Sequence, residues 1–366
     1  MKKGTARALL LSAWMVWWMN PGGQAQDWHL VWADEFEGES LDPEKWSYQT
    51  GTGSEYGLTD WGNNEGQYYR EQNVSVADGF LTITARKEDF GGKDYTSGRI
   101  RSAEKGDWTY GRIEFRAKMP VGQGMWAAVW MLPTDAVYGG WAASGEIDIL
   151  EYLGHETDKV YGTLHYGGPW PNNQSTSNSF TLDEGDFSGE FHDFALEWTE
   201  GKMRWFVDGE RYQTLTAWSS SGGSYPAPFN RRFHLLVNLA VGGDWPGYPN
   251  SSTSFPQELV LDYIRVYQEG ATGNPRQEVS GGFGIDPVVP NPVLSGARIT
   301  YRIGEECRVS LAIFDGTGRL MARLADGVKA KGLHEAVWDR GSLAPGVYSC
   351  RLSAGERTAV RKILVR

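Results

Sequence analysis

Across residues 28–268, apolar and polar residues alternate in short runs broken by Gly, Asn, Asp and Pro. Runs 80–87, 98–102, 110–119, 191–199 and 202–209 show the pattern. A period of two is that of half-buried strands, and no long helical period interrupts it. Asp78-Gly79 and Asp208-Gly209 sit between such runs, where both central residues of a tight hairpin turn need positive φ. The pattern therefore predicts an all-β antiparallel sandwich. A second, similar texture follows in 290–303, 308–324, 332–352 and 357–366, with D-G and P-G turns, and predicts a small Ig-like β-sandwich of about 80 residues.

One run departs from simple alternation. GEIDILEYLG, 145–154, sets Glu146, Asp148 and Glu151 within six residues of an apolar, β-branched stretch. In a strand, Glu146 and Asp148 share a face and Glu151 falls on the other. A β-bulge at Ile149 or Leu150 returns Glu151 to the side of the first two, and bulges are frequent beside active sites. Four effective strand steps then separate the two glutamates by roughly 13 Å at Cα. Side chains leaning together close that to about 5 or 6 Å, the spacing of a retaining glycosidase. The alternatives are a strand whose polar face meets solvent, and a helix. A helix would point Glu146 and Asp148 about 200° apart and disfavour the β-branched pair. Three carboxylates this close cannot all ionise cheaply, so at least one must hold a raised pKa, as an acid catalyst requires.

With these residues in hand, the chain resembles glycoside hydrolase family 16, and within it the laminarinase-like endo-β-1,3-glucanases, whose E-I-D-I-x-E signature matches residues 146–151. Segments 32–42, 61–69, 97–102, 110–120, 138–154 and 259–268 also resemble family segments in family order. Ala127 and Ala142 stand where the family often has Pro, and Gly66 where it has a larger apolar residue. The resemblance implies a concanavalin A-like jelly roll with an open cleft, hence endo cleavage. It also implies that Glu146 is the nucleophile, Glu151 the acid/base and Asp148 the residue that orients Glu146. For substrate it points to Asn63 and Arg99, and it shifts Trp126, Trp130 and Trp141 from core towards cleft. His165 and Trp245 are further candidates, against the alternatives of a structural histidine and an ordinary surface indole. The family often carries one structural Ca²⁺, which here implies Glu37, Gly79 and Asp262; the alternative is that Asp262 simply begins a strand. No clustered His/Cys set or spaced Asp/Asn loop points to zinc or an EF-hand.

Composition narrows the partner. Lys2, Lys3 and Arg7 precede an apolar run, 8–19, and Gly23 and Ala25 place small residues for cleavage, so residues 1–25 read as a signal peptide and the protein as secreted. No later run of 18 apolar residues implies a membrane span. Without that segment the net charge moves from −11 to −14. Residues 287–366 carry 13 basic and 7 acidic groups, net +6, which leaves 26–286 at −20. An acidic body disfavours nucleic acid and suits a neutral polymer. Thirteen of the 17 Trp lie in 28–268. Most are expected in the core, with some stacking on sugar rings.

The expected organisation is thus a signal peptide at 1–25, a catalytic domain at 26–268, a flexible linker at 269–286 and the Ig-like domain at 287–366. Few contacts are expected to cross the linker. With P-N-P at 290–292, F-D-x-x-G-R at 314–319 and L-x-P-G-V-Y at 343–348, the tail resembles the type A sorting domains of the type IX secretion pathway, which implies the secretion machinery as a partner. A spacer or carbohydrate-binding module is the alternative. Cys307 and Cys350, both in the tail, suit either a disulfide or two buried thiols. The functional expectation is a monomeric, secreted, retaining endo-β-1,3-glucanase. Alternatives are mixed-linkage β-1,3-1,4-glucan or red-algal galactan as substrate, and a non-catalytic β-glucan-binding protein on the same fold.

Overall fold

The computed structural model describes residues 28–269, 283–286, 288, 291, 293–355 and 357–365. The signal-peptide segment and linker residues 270–282 lie outside them. Two sheets face each other, antiparallel but for the parallel pairing of Gln67–Tyr69 with Lys93–Ser97. The first runs Glu210–Leu215, Lys202–Val207, His192–Thr199, Gly111–Lys118, Gln257–Glu269, Phe80–Phe90, Lys93–Ser97 and Gln67–Tyr69. The second runs Asn173–Thr181, Lys159–Gly167, Glu146–Leu153, Met125–Pro133, Phe233–Val241, Arg99–Arg101 and Ser47–Tyr48. This is the expected jelly roll. Its core is filled by one side of each strand: Ile147, Tyr152, Val129 and Leu239 from the second sheet meet Phe115, Leu196, Trp205 and Ile264 from the first. Asp78 and Gly79 have φ of 53° and 78°, and Asp208 and Gly209 have 49° and 83°, so both D-G pairs make the predicted turns. Among the described residues, no helix is long and apolar enough to cross a membrane.

The tail forms a separate sandwich. Gly284–Ile285, Gly296–Ile303 and Gly332–Asp339 make one sheet, and Leu320–Lys329, Cys307–Asp315, Gly346–Ala354 and Arg357–Val365 the other. Its own core is built on Tyr301, Leu311, Trp338 and Ile363. Gly284 and Ile285, expected in the linker, pair with Arg302 and Tyr301. The cysteines are free thiols. Cys350 stands opposite Ile313, six positions along the strand from Cys307, or roughly 20 Å, too far for a bridge.

The contacts that cross the linker are few and gather at one place. The last strand of the tail lies against the catalytic domain: Lys362 donates to Glu37 from its backbone and to Gly79 and Asp262 from its side chain. Arg265 also donates to the Asn291 carbonyl at 3.1 Å. Net charge separates the two domains in the sequence, and that same opposition of sign favours their contact.

Candidate active site

The carboxylates stand on Glu146–Leu153, and the expected bulge is present. Leu150 pairs with Val129 and Asp148 with Trp130, so Ile149 is the extra residue. On the other side Asp148 pairs with Thr163 and Glu151 with Tyr161, three steps against two. The bulge places all three acids on the outer face of the sheet, while Ile147, Leu150 and Tyr152 enter the core. Two features of the surrounding chain hold it there. The indole N–H of Trp205, from the opposing sheet, donates to the Asp148 carbonyl at 2.9 Å and so satisfies a backbone group at the irregularity. Trp205 reaches it past Gly162, where a Cβ would lie 2.5 Å from the indole. Gly145, just before the strand, has a φ of 86°, and a Cβ there would lie 2.7 Å from the Phe229 ring.

Glu146 pairs across the strands with His165, whose Nε2 lies 3.7 Å from Glu146 Oε1 and 3.3 Å from Asp148 Oδ2. The Trp141 indole donates to Glu146 Oε2 at 2.8 Å, and its ring lies 5.5 Å from the His165 ring. Thr163 donates to Glu151 Oε2 at 3.3 Å. Burial pushes all three carboxyls up, to about 8 in each case. The charge of Asp148 adds to the rise at Glu146 and Glu151, and the Trp141 N–H opposes it at Glu146. Hydrogen bonds from Thr163 and Trp126 oppose it at Glu151, so each glutamate is a raised carboxyl held by neutral donors.

The tryptophans sort by exposure. Trp32, Trp46, Trp61, Trp108, Trp198, Trp205 and Trp218 are buried. Trp126 and Trp130 are half-buried on the outer face, Trp130 paired with Asp148 in the middle of the acid row and Trp126 with Leu153, beyond Glu151. Trp245 is exposed and meets Trp126 edge-on at 5.7 Å. Trp170 is an exposed indole beside the site that strand reasoning missed. It lies outside any strand, is 71% exposed, and sits 6.4 Å from Trp141. A Gly-Gly-Pro-Trp loop directly after the His165 strand was the available signal.

Arg99 and Asn63 flank the same face. Glu151, Ala128, Asn238 and Arg99 form one transverse row across four strands. Arg99 is buried, its guanidinium 4.5 Å from the Trp61 ring and 4.8 Å from Trp130, with Nε donating to Gln49 at 2.8 Å. Asn63 is exposed and donates weakly to Glu65, at 3.4 Å. Sequence reading missed the network beneath them. Glu65 accepts from Gln67 at 2.6 Å and Tyr69 at 3.0 Å, Tyr69 accepts from Asn238, and Asn238 accepts from Trp130 at 2.8 Å. A continuous hydrogen-bonded path thus fixes the Trp130 ring from behind.

Among the described residues, Glu146, Asp148 and His165 offer ligand atoms within 4.8 Å of one another. The oxygens expected to hold calcium lie elsewhere and are already engaged. Asp262 accepts from Arg116 at 2.9 Å through Oδ2 and from Lys362 Nζ through Oδ1, Gly79 O accepts from Lys362 Nζ at 3.1 Å, and Glu37 accepts from the Lys362 backbone at 2.8 Å. In this arrangement the set does not fit a calcium ion, because cationic and N–H donors fill its oxygens.

Residues 62–256 match the family described as Glycosyl hydrolases family 16, and residues 287–366 match the secretion system C-terminal sorting domain. A glucan endo-1,3-beta-glucosidase of Niallia circulans is 42% identical over 66% of this chain, which covers 38% of that protein's length. A beta-glucanase of Rhodothermus marinus is 41% identical over 67% of this chain and 87% of its own. The solved catalytic domain of an endo-1,3-beta-glucanase (laminarinase) from Thermotoga petrophila is 40% identical, with a TM-score of 0.61 over 67% of this chain and all of that one. With a bulged strand of three outward carboxylates at its centre, the chain belongs to glycoside hydrolase family 16.

Proposed function

We propose that the protein is a secreted, monomeric, retaining endo-β-1,3-glucanase. The observation that carries this reading is the acid strand: Glu146, Asp148 and Glu151 share one outer face through the bulge at Ile149, between half-buried indoles. Glu146, supported by the Trp141 N–H, attacks the anomeric carbon while the bond to the leaving oxygen breaks and Glu151 gives that oxygen its proton. Glu151, now anionic, takes a proton from water, whose oxygen displaces Glu146 from the same carbon. Two inversions give net retention. Asp148, buried between the two and 3.3 Å from His165, keeps the acids coupled so that one proton is held at neutral pH.

Trp126, Trp130, Trp141 and Trp245 present aromatic faces for pyranose rings, and Asn63 and Arg99 present polar groups for hydroxyls. The tail's match to a sorting domain supports export through a secretion machinery. A binding-only role on this fold has no need of three carboxylates gathered on one bulged face, and all three are present. Product analysis on laminarin, lichenan and agarose tests the substrate. Oligosaccharides from laminarin are expected to appear fastest; faster release from lichenan or agarose would move the assignment to mixed-linkage glucan or galactan. Light scattering of the full chain checks for a monomer.

A further inference from the structure

The calcium expectation and the structure disagree at one place, and what fills that place belongs to the other domain. Lys362 lies in the last strand of the tail, Arg357–Val365. Its ammonium donates to Gly79 O at 3.1 Å and to Asp262 Oδ1, and it lies 4.1 Å from the Phe80 ring. Its backbone N–H donates to Glu37 Oε1 at 2.8 Å. The side chains of Lys362 and Asp262 are 19% and 8% exposed, so this is not a loose surface pair. The Asp78-Gly79 turn contributes directly, since a Cβ on Gly79 would lie 3.2 Å from Lys362 Nζ. A second strut runs alongside: Asn291 accepts from Arg265 through its carbonyl and binds the Lys362–Leu364 backbone through its side chain. Arg265 in turn is held by Glu35.

We propose that Lys362 is the built-in cation of this oxygen cluster, clasping the tail to the catalytic domain, so that docking of the tail and binding of a divalent cation at Asp262 and Gly79 are mutually exclusive. One ammonium meets a carbonyl, a carboxylate and an aromatic face, which are partners that satisfy a cation. The net +6 of the tail and net −20 of the remainder of the chain add a general attraction between the two domains. Two ligands competing for one set of oxygens are linked reciprocally: calcium must loosen the clasp by the factor by which the clasp weakens calcium.

The test uses the full chain and Ca²⁺ alone. Calorimetric titration of the wild type, Lys362→Gln and Lys362→Arg gives affinity, and small-angle scattering with and without Ca²⁺ gives the spread of the two domains. The account predicts that Lys362→Gln binds Ca²⁺ about tenfold or more tightly than the wild type, an effect within the usual range for coupled sites. It also predicts a larger radius of gyration for Lys362→Gln without Ca²⁺, retention of the wild-type radius by Lys362→Arg, and loss of the gained binding in Lys362→Gln with Asp262→Asn. Wild-type scattering, which needs no variant to fold, should show expansion at saturating Ca²⁺. Equal Ca²⁺ affinity in wild type and Lys362→Gln, or a wild-type radius unchanged when Ca²⁺ is bound, overturns the proposal.

Discussion

The carboxylates at the inter-domain edge and those on the bulged strand are treated in opposite ways. At the inter-domain edge, burial works against ionisation of Glu35, but Arg265 answers with two hydrogen bonds of 2.7 and 2.9 Å and its charge, and the carboxyl falls below its ordinary value. Asp262 is likewise met by Arg116 and Lys362. On the bulged strand, burial of Glu146, Asp148 and Glu151 is answered only by His165 and by neutral donors such as Trp141 and Thr163, and all three rise to about 8. At these two places the same kind of side chain serves structure where a cation accompanies it and proton chemistry where one does not.

The largest expected effect comes from neutralising the unaccompanied acids. Glu146→Gln and Glu151→Gln should each lower kcat on laminarin by roughly 10³-fold or more, with folding and glucan affinity retained. Steady-state kinetics beside a pull-down on insoluble glucan checks both halves. Near-normal turnover in either variant would remove the chemical half of the comparison.

Next in size is removal of a cation from the structural group. Arg265→Met leaves Glu35 buried with its bidentate partner gone, and unfolding free energy in urea should fall by about 3–5 kcal/mol. Adding Glu35→Gln should recover part of that loss. If Arg265→Met is neutral, the pairing is ornamental and the contrast fails on that side.

A smaller effect has the opposite sign. The folded-state pKa of Glu151 is raised, so its contribution to stability is fully present below the unfolded value near 4.5 and is lost as pH rises through about 8. Glu151→Gln avoids that loss. It should melt with the wild type at pH 4 and be more stable at pH 8, by on the order of 1–3 kcal/mol. A variant that is less stable at pH 8 would show that the acid is not strained by its burial.

The smallest effect concerns a single hydrogen bond. Trp141→Phe removes the N–H held at 2.8 Å from Glu146, so the acidic limb of kcat/KM should move to higher pH by up to about one unit. An unchanged limb would detach Trp141 from the ionisation of Glu146.

How far the sequence reveals this contrast depends on how local each group is. The acid strand was readable, bulge included, because three carboxylates in an apolar run violate a period of two in a way that only an extra residue repairs. The D-G turns were readable for a similar reason, since positive φ at two successive positions restricts the residues that fit. The supports of the site were not readable. Trp205 reaches the Asp148 carbonyl from another sheet, and within its own strand it is simply an inward indole. The Glu65 network joins residues far apart in the chain, such as Tyr69 and Asn238, and no periodicity announces a buried acid in a loop. Lys362 is the extreme case, because a lysine in an alternating strand reads as a solvated face until the fold brings Glu37, 325 residues earlier, to its backbone.

The most direct measurement is azide rescue of Glu146→Gly on laminarin, followed by NMR of the anomeric centre. If Glu146 is the nucleophile, azide enters from the face it has vacated while Glu151 still protonates the leaving group, and the product is an α-glycosyl azide. A β-azide, or full activity without azide, would contradict the assignment of the attacking carboxylate to Glu146.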